Sequence, residues 1–366
     1  MKKERTLILK ELMKSQKVDP MVLIPGHNLY YFTGLKMHMS ERPTMFFINA
    51  RFKDVIFLPK LEVPNASSIL PEECIYYPYS DEEGPDKVLK TLVKDLNLDE
   101  KKIGIEFLGM RVMEYELLRR YSPHASFVNG EPIISEIRMC KDDEELSCFR
   151  RAVEITEKAL EATLKMIRPG VTEQEVANEL QIRMFSLGSG ELWKQTVVVS
   201  GNRTAFPHSK SSKKVINAGD LVMIDTGATY EGYVCDLTRT FAVGSIDDEF
   251  RKIYEVVREA NEAVIRFPNP KFTAEELDQV ARKVIEDHGY GKFFIHRTGH
   301  GLGLEGHEPP YIVKGNKMEM KIGMAFTDEP GIYLPNKGGV RIEDDVVVTK
   351  KGLEYLTTYP RELTIL

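Results

Sequence analysis

The residues most able to do chemistry are acids at the ends of runs that should be buried. Leu221-Val222-Met223-Ile224 is a continuous apolar stretch, which reads as a buried strand, and it ends in Asp225-Thr226-Gly227. The chain turns through Tyr230-Glu231-Gly232 and returns through Tyr233-Val234-Cys235-Asp236-Leu237-Thr238. A hairpin centred between Tyr230 and Glu231 predicts that Asp225 and Asp236 lie directly opposite, with Cβ atoms about 4.5–5.5 Å apart on one face. Cys235 points the other way. Two carboxylates that close repel unless a cation sits between them or one is protonated.

The pattern recurs near the C-terminus. Glu329-Pro330-Gly331-Ile332-Tyr333 and Val340-Arg341-Ile342-Glu343 face each other around Pro335-Asn336-Lys337, and centring on Asn336 opposes Glu329 to Glu343. Arg341 shares the Glu343 face, and Asp344 does not. A single such acid reads as a solvated edge residue or an ion-pair partner; two opposed pairs at buried strand ends argue for a bound cation. Between the hairpins runs His296-Arg297-Thr298-Gly299-His300-Gly301-Leu302-Gly303-Leu304-Glu305-Gly306-His307-Glu308. Glycines on both sides of His300 would let the backbone approach a ligand, and imidazole is the commonest nitrogen ligand for a transition metal. The glycines do not keep the spacing of a dinucleotide loop, and His296 reads as a packed residue. Four carboxylates and one imidazole call for two divalent ions. An oxygen-rich shell without thiolate suits Mn²⁺ or Co²⁺, with Zn²⁺ and Fe²⁺ as alternatives, and a pair about 3.5–4 Å apart would hold a bridging hydroxide for hydrolysis.

Elements that could position these groups follow from the flanking sequence. Asp142-Asp143-Glu144-Glu145 opens a periodic helix to Met166, and a second helix spans 248–266. Each is followed by a capping-box sequence, at Thr172 to Glu175 and at Thr273 to Glu276, and each box leads on to an acid-bearing hairpin. Two similar helix-helix-sheet halves are expected. Upstream, 45–52 and 54–58 read as a hairpin, 103–107 as a strand and 112–121 as a helix, giving a smaller α/β domain. The expected division is 1–135 and 136–366. His27, His38 and His124 are isolated and read as structural.

Composition bounds the partners. A chain of 366 residues suggests two to three domains, and 42% hydrophobic with 29% charged residues is an ordinary globular balance. The net charge of −6 without a basic block argues against nucleic acid as the main partner. No apolar run of about 18 residues predicts a membrane span. Cys74, Cys140, Cys148 and Cys235 are scattered, which fits a reducing cytoplasm.

The motifs together resemble the X-prolyl aminopeptidase and prolidase family of dinuclear metallopeptidases. The matching segments are Ser200-Gly201-Asn202 with Pro207-His208, Asp225-Thr226-Gly227, Asp236 to Thr240, Thr298 to Glu308, Glu329 to Tyr333, and Gly339 to Asp344. They run in order through residues 135–366, and Tyr30-Tyr31-Phe32-Thr33-Gly34 resembles part of the family's accessory domain. The resemblance implies an α/β (α+β) fold: a pita-bread catalytic domain of two pseudo-symmetric halves behind a creatinase-like N-terminal domain. It implies Asp225, Asp236, His300, Glu329 and Glu343 as metal ligands, with Glu343 bridging and Glu329 also acting as general base and acid. His208 and His307 match substrate-side histidines, and Arg341 matches a supporting arginine. The implied activity is cleavage before proline in dipeptides or longer peptides, in a cytoplasmic homodimer. A metal-free creatinase-like C–N hydrolase and a peptidase-like peptide-binding protein are the alternatives, each disfavoured by the complete donor set. Two positions depart from the family. Tyr311 stands where prolidases carry an arginine, which predicts tolerance of longer peptides, and Asp328 precedes Glu329 where many relatives have an aliphatic residue.

Overall fold

Short apolar runs separated by turns build a six-stranded mixed sheet from the first part of the chain. In spatial order it comprises Ile75–Tyr79, Val55–Pro59, Met45–Ile48, Met21–Leu23, Lys102–Ile105 and Ser126–Asn129. The hairpin pairs Met45 with Phe57, as a turn near Arg51 requires. Val22, Phe47, Phe57, Leu89, Ile103 and Leu118 form the core under this sheet. The computed structural model describes residues 2–192, 194–267 and 271–366. The first compact unit ends at Arg138 and the second begins at Met139; the helix Glu131–Arg138 runs across the expected 135/136 division and completes the first unit.

In the second unit, Asp143–Leu164 is capped by Asp142 and Glu145, whose side chains each accept from the other's backbone N–H. The helices Glu173–Ser186 and Ala274–Asp287 begin with the same reciprocal box, at Thr172 with Glu175 and at Thr273 with Glu276. Asp248–Ile265 packs beside Ala274–Asp287, as Asp143–Leu164 packs beside Glu173–Ser186. One helix pair accompanies an antiparallel sheet of Leu237–Ala242, Leu221–Thr226 and Val197–Ser200. The other accompanies Glu308–Ile312, Gly299–Gly301, Ala325–Asp328, Asp344–Thr349 and Gly352–Tyr355. These are the two expected halves. Leu221, Ala242, Tyr254, Leu277, Phe326 and Val346 share one core between them. Among the described residues no helix is long and apolar enough to cross a membrane.

The first acid hairpin has a different register from the expected one. Asp225 pairs with Thr238 rather than Asp236, and Tyr230 pairs with Tyr233. The turn is the two-residue loop Glu231-Gly232, with φ of 49° and 88°, so its centre lies one residue later than the sequence suggested. Such loops take left-handed conformations at both positions because their twist matches that of the strands. Asp236 therefore falls between the strands Tyr233–Val234 and Leu237–Ala242, diagonal to Asp225 and on the same face. The second hairpin keeps the expected register: Gly331 pairs with Arg341, and beyond the acids Asp328 pairs with Asp344. Asn336 turns the chain with φ 62°.

Candidate metal centre

Asp236, His300 and Glu343 bring one ligand atom each within 4.8 Å of the others, and all three side chains are buried. His300 Nε2 lies 3.4 Å from Glu329 Oε1. Arg341 Nη2 donates to Asp225 Oδ2 at 2.7 Å, and its Nε lies 4.0 Å from Glu343 Oε2. A cavity of about 580 Å³ is lined by all five expected ligands together with His208, His307 and Arg341. The His307 ring packs edge-on against His300 at 3.9 Å between centroids. His208 and His307 are exposed, whereas three of the five expected ligands, Asp236, His300 and Glu343, are buried and the other two, Asp225 and Glu329, are half-buried.

The backbone around each donor is pinned. Asp345 accepts the Asp236 N–H at 3.1 Å, and Thr238 Oγ1 donates to Glu343 Oε2 at 2.5 Å. The buried Arg239 guanidinium binds the carbonyls of Thr238 and Glu343 at 2.9 and 2.7 Å and the Asp344 carboxylate at 2.7 Å, tying the two hairpins together. Thr327 Oγ1 accepts the His300 N–H at 3.0 Å. His300 Nδ1 donates to the Gly301 carbonyl at 3.1 Å, which selects the tautomer whose Nε2 lone pair faces the acids.

The glycines beside His300 serve packing, a correction to the ligand-approach reading. A Cβ on Gly299 would lie 1.7 Å from the Thr327 carbonyl oxygen, and one on Gly301 would lie 2.3 Å from that of Pro309. Only glycine lets this strand fit between its two neighbours. His296 is packed as expected, with Nδ1 2.7 Å from the Arg297 carbonyl and Nε2 2.9 Å from the Tyr333 hydroxyl. Tyr333 in turn accepts from Arg341 Nη1 at 3.2 Å, so His296 supports the arginine through one intermediary.

Charge at the site is unbalanced toward the acids. Burial, then Glu343, pushes the Asp236 carboxyl well above the usual carboxylate range, with Lys194 opposing. Burial, again followed by Glu343, does the same to Glu329, and burial raises Glu343. Burial would also raise Asp225, but Lys194 and Arg341 pull it below its ordinary value. Burial lowers His300, and burial with Arg297 lowers His307 to about 4, so both rings are neutral acceptors or ligands at pH 7. Clustered buried carboxylates cost several kcal/mol each unless compensated by positive charge. Oxygen donors, one neutral imidazole and excess negative charge fit divalent metal.

Several positioning residues were not found from the sequence. The Lys194 ammonium bridges the Asp225 and Asp236 carboxylates; it belongs to a segment with no motif of its own. Glu173, fully buried, accepts from Ser200 N at 2.7 Å, Ser212 Oγ at 2.7 Å and Arg203 Nε at 3.2 Å, and so ties down both ends of the segment carrying His208. Its place inside a capping box was the only signal, and it pointed to helix initiation. The buried pair Lys141–Glu308, at 2.8 Å, anchors the residue after His307 to the start of the unit. Asp328 points away from the donors toward the Asp344 strand, fully buried, with neither oxygen hydrogen-bonded among the described residues. Burial, then Asp344, raises its carboxyl well above the usual range, and nothing in the structure explains its selection.

Residues 147–350 match metallopeptidase family M24, and residues 5–140 match the creatinase/prolidase N-terminal domain. The Xaa-Pro dipeptidase of Pyrococcus furiosus is 36% identical over 365 residues, covering 99% of each chain. Among solved structures, a recombinant prolidase from Thermococcus sibiricus superposes with a TM-score of 0.95 at 35% identity, covering 100% of this chain and 99% of that one. An X-Pro aminopeptidase from Thermotoga maritima gives 0.86 at 33% identity, covering 99% of both. The two family models together span most of the chain, and the chain belongs to metallopeptidase family M24.

Proposed function

We propose that this protein is a metal-dependent peptidase that hydrolyses the bond between an N-terminal residue and a following proline. The observation that carries it is the convergence of Asp225, Asp236, His300, Glu329 and Glu343 on one cavity with His208, His307 and Arg341. The extended likeness to Xaa-Pro dipeptidases supports the substrate class. The five donors would hold two divalent ions; Mn²⁺ or Co²⁺ suits the oxygen-rich set, with Zn²⁺ and Fe²⁺ as alternatives. When bound, such ions supply Lewis acidity and lower the pKa of water.

The protein's own groups complete the reaction. Glu329 accepts a proton from the attacking water as its oxygen bonds to the scissile carbonyl carbon. The same carboxyl returns that proton to the proline nitrogen as the C–N bond breaks. His307 and His208 face the cavity and hydrogen-bond the carbonyl oxygen as it gains negative charge, the interaction that contributes most to rate in such reactions. Arg341 holds Asp225 and Tyr333 in place rather than meeting substrate. Catalysis resides in the second unit, Met139–Leu366, with the first unit as its accessory domain. The four cysteines are free thiols, in keeping with a cytoplasmic setting, and the homodimer follows from the family resemblance.

A metal-stripped preparation tests the reading. Chelator-treated protein is expected to lose Leu-Pro hydrolysis and to regain it with added Mn²⁺ or Co²⁺. Full Leu-Pro hydrolysis in protein with no metal by mass spectrometry would refute the metal dependence, and an absence of Leu-Pro hydrolysis in metal-loaded protein would refute the peptidase account.

A further inference from the structure

Both carboxylate oxygens of Asp225 are taken by cations of the protein itself. The Lys194 ammonium contacts Oδ1, and Arg341 Nη2 donates to Oδ2 at 2.7 Å. Lys194 also contacts Oδ1 of Asp236, the acid that converges with His300 and Glu343. A divalent ion held between Asp225 and Asp236 calls on oxygens already in use, so one of the two cations has to yield.

The surroundings decide which one. Arg341 is sealed in, with its side chain 5% exposed, its Nε 3.2 Å from Thr238 Oγ1 and its Nη1 3.2 Å from the Tyr333 hydroxyl. Lys194 ends a flexible four-carbon stem, is 20% exposed and lines the cavity. Its segment is fixed at one end where the Gly190 N–H donates to the Thr229 carbonyl at 2.7 Å, and at the other where Val197 pairs with Asp225. Between these anchors Leu192, Lys194 and Gln195 belong to no helix or strand, so the ammonium can leave the aspartates without breaking a ladder. Lys141 has the opposite setting. It is buried against a buried Glu308, and neither residue of that pair is an expected metal ligand.

We propose that Lys194 is an exchangeable internal counter-ion of the Asp225–Asp236 pair, which competes with divalent metal for those oxygens and swings aside when the ion enters. This rests on the metal centre of the reading above. Two close carboxylates repel, and the ammonium holds them together when metal is scarce. By linkage, the stability that Lys194 gives to metal-stripped protein is subtracted from the affinity for the ion.

Calorimetric Mn²⁺ titration of chelator-stripped protein and thermal unfolding test the exchange. Lys194→Met is expected to bind Mn²⁺ about 10- to 100-fold more tightly than the intact chain, because no charge-assisted contacts have to be broken first. Its unfolding midpoint should be about 3–8 °C lower in chelator and equal to that of the intact chain in saturating Mn²⁺. The intact chain offers a second measurement that needs no substitution. Acetylation of Lys194 by acetic anhydride, read by mass spectrometry, should rise severalfold on adding Mn²⁺, while the exposed Lys213 stays unchanged. Equal Mn²⁺ affinity and equal unfolding in Lys194→Met would overturn the proposal, and so would Lys194 labelling that ignores Mn²⁺. Weaker Mn²⁺ binding by the variant would overturn it too, by making Lys194 a support of the donors. An intact chain that takes up no Mn²⁺ would remove the metal centre and the exchange together, whereas normal exchange without Leu-Pro hydrolysis would contradict the peptidase reading alone.

Discussion

Asp225 and Asp236 sit against protein cations, since Lys194 bridges them and Arg341 holds the outer oxygen of Asp225. Glu329 and Glu343 have less: an imidazole at 3.4 Å from the first and the Arg341 Nε at 4.0 Å from the second. The electrostatic result follows for Asp225 alone, which is held below its ordinary range, whereas burial raises Asp236 as well as both glutamates. Asp225 is balanced by the protein's own cations, and the other three acids depend on what the centre binds. Geometry differs as well. Glu329 and Glu343 lie between two ladders of one register, with their N–H groups bound to the Thr298 and Thr238 carbonyls, whereas Asp236 lies between two short strands with its N–H bound to the Asp345 side chain.

Substitutions can break this comparison. The largest effect is expected for Asp236→Ala and Glu343→Ala, each of which should lose bound metal and reduce kcat by about 10³-fold or more, read by metal analysis and Leu-Pro hydrolysis. Full metal content and rate in either variant would remove that acid from the centre. His307→Ala should retain metal and lose about 10²–10³-fold in kcat, as removal of an oxyanion donor does. Loss of metal in that variant would make His307 a ligand. The turns give the smallest effects. Gly232→Ala should cost about 1 kcal/mol in urea denaturation because its φ of 88° disfavours a Cβ, whereas Asn336→Gly, at φ 62°, should change stability by only a few tenths. Equal effects at the two turns would refute the assigned reason for the register difference.

The acids were legible because they end or interrupt apolar runs, where a buried carboxylate demands a partner, and His300 stood out only by the glycines on both sides of it. Both capping boxes and the helices they start were legible from local spacing. Register in the first hairpin was not, because locating its centre required knowing that Glu231 accepts a left-handed conformation, which is uncommon for that residue type. The glycines around His300 misled for another reason: their cause is the close approach of Thr327 and Pro309, neighbours in space brought by the sheet. Glu173, Lys194, Asp345 and the Lys141–Glu308 pair act through contacts between residues far apart in the chain, and periodicity carries no trace of those.

Crystallographic anomalous scattering at the manganese edge, from protein reconstituted with Mn²⁺, tests the central claim most directly. Two peaks are expected among Asp225, Asp236, His300, Glu329 and Glu343, with Lys194 displaced from its bridging position. Crystals with those five side chains in place and no anomalous peak between them would contradict it.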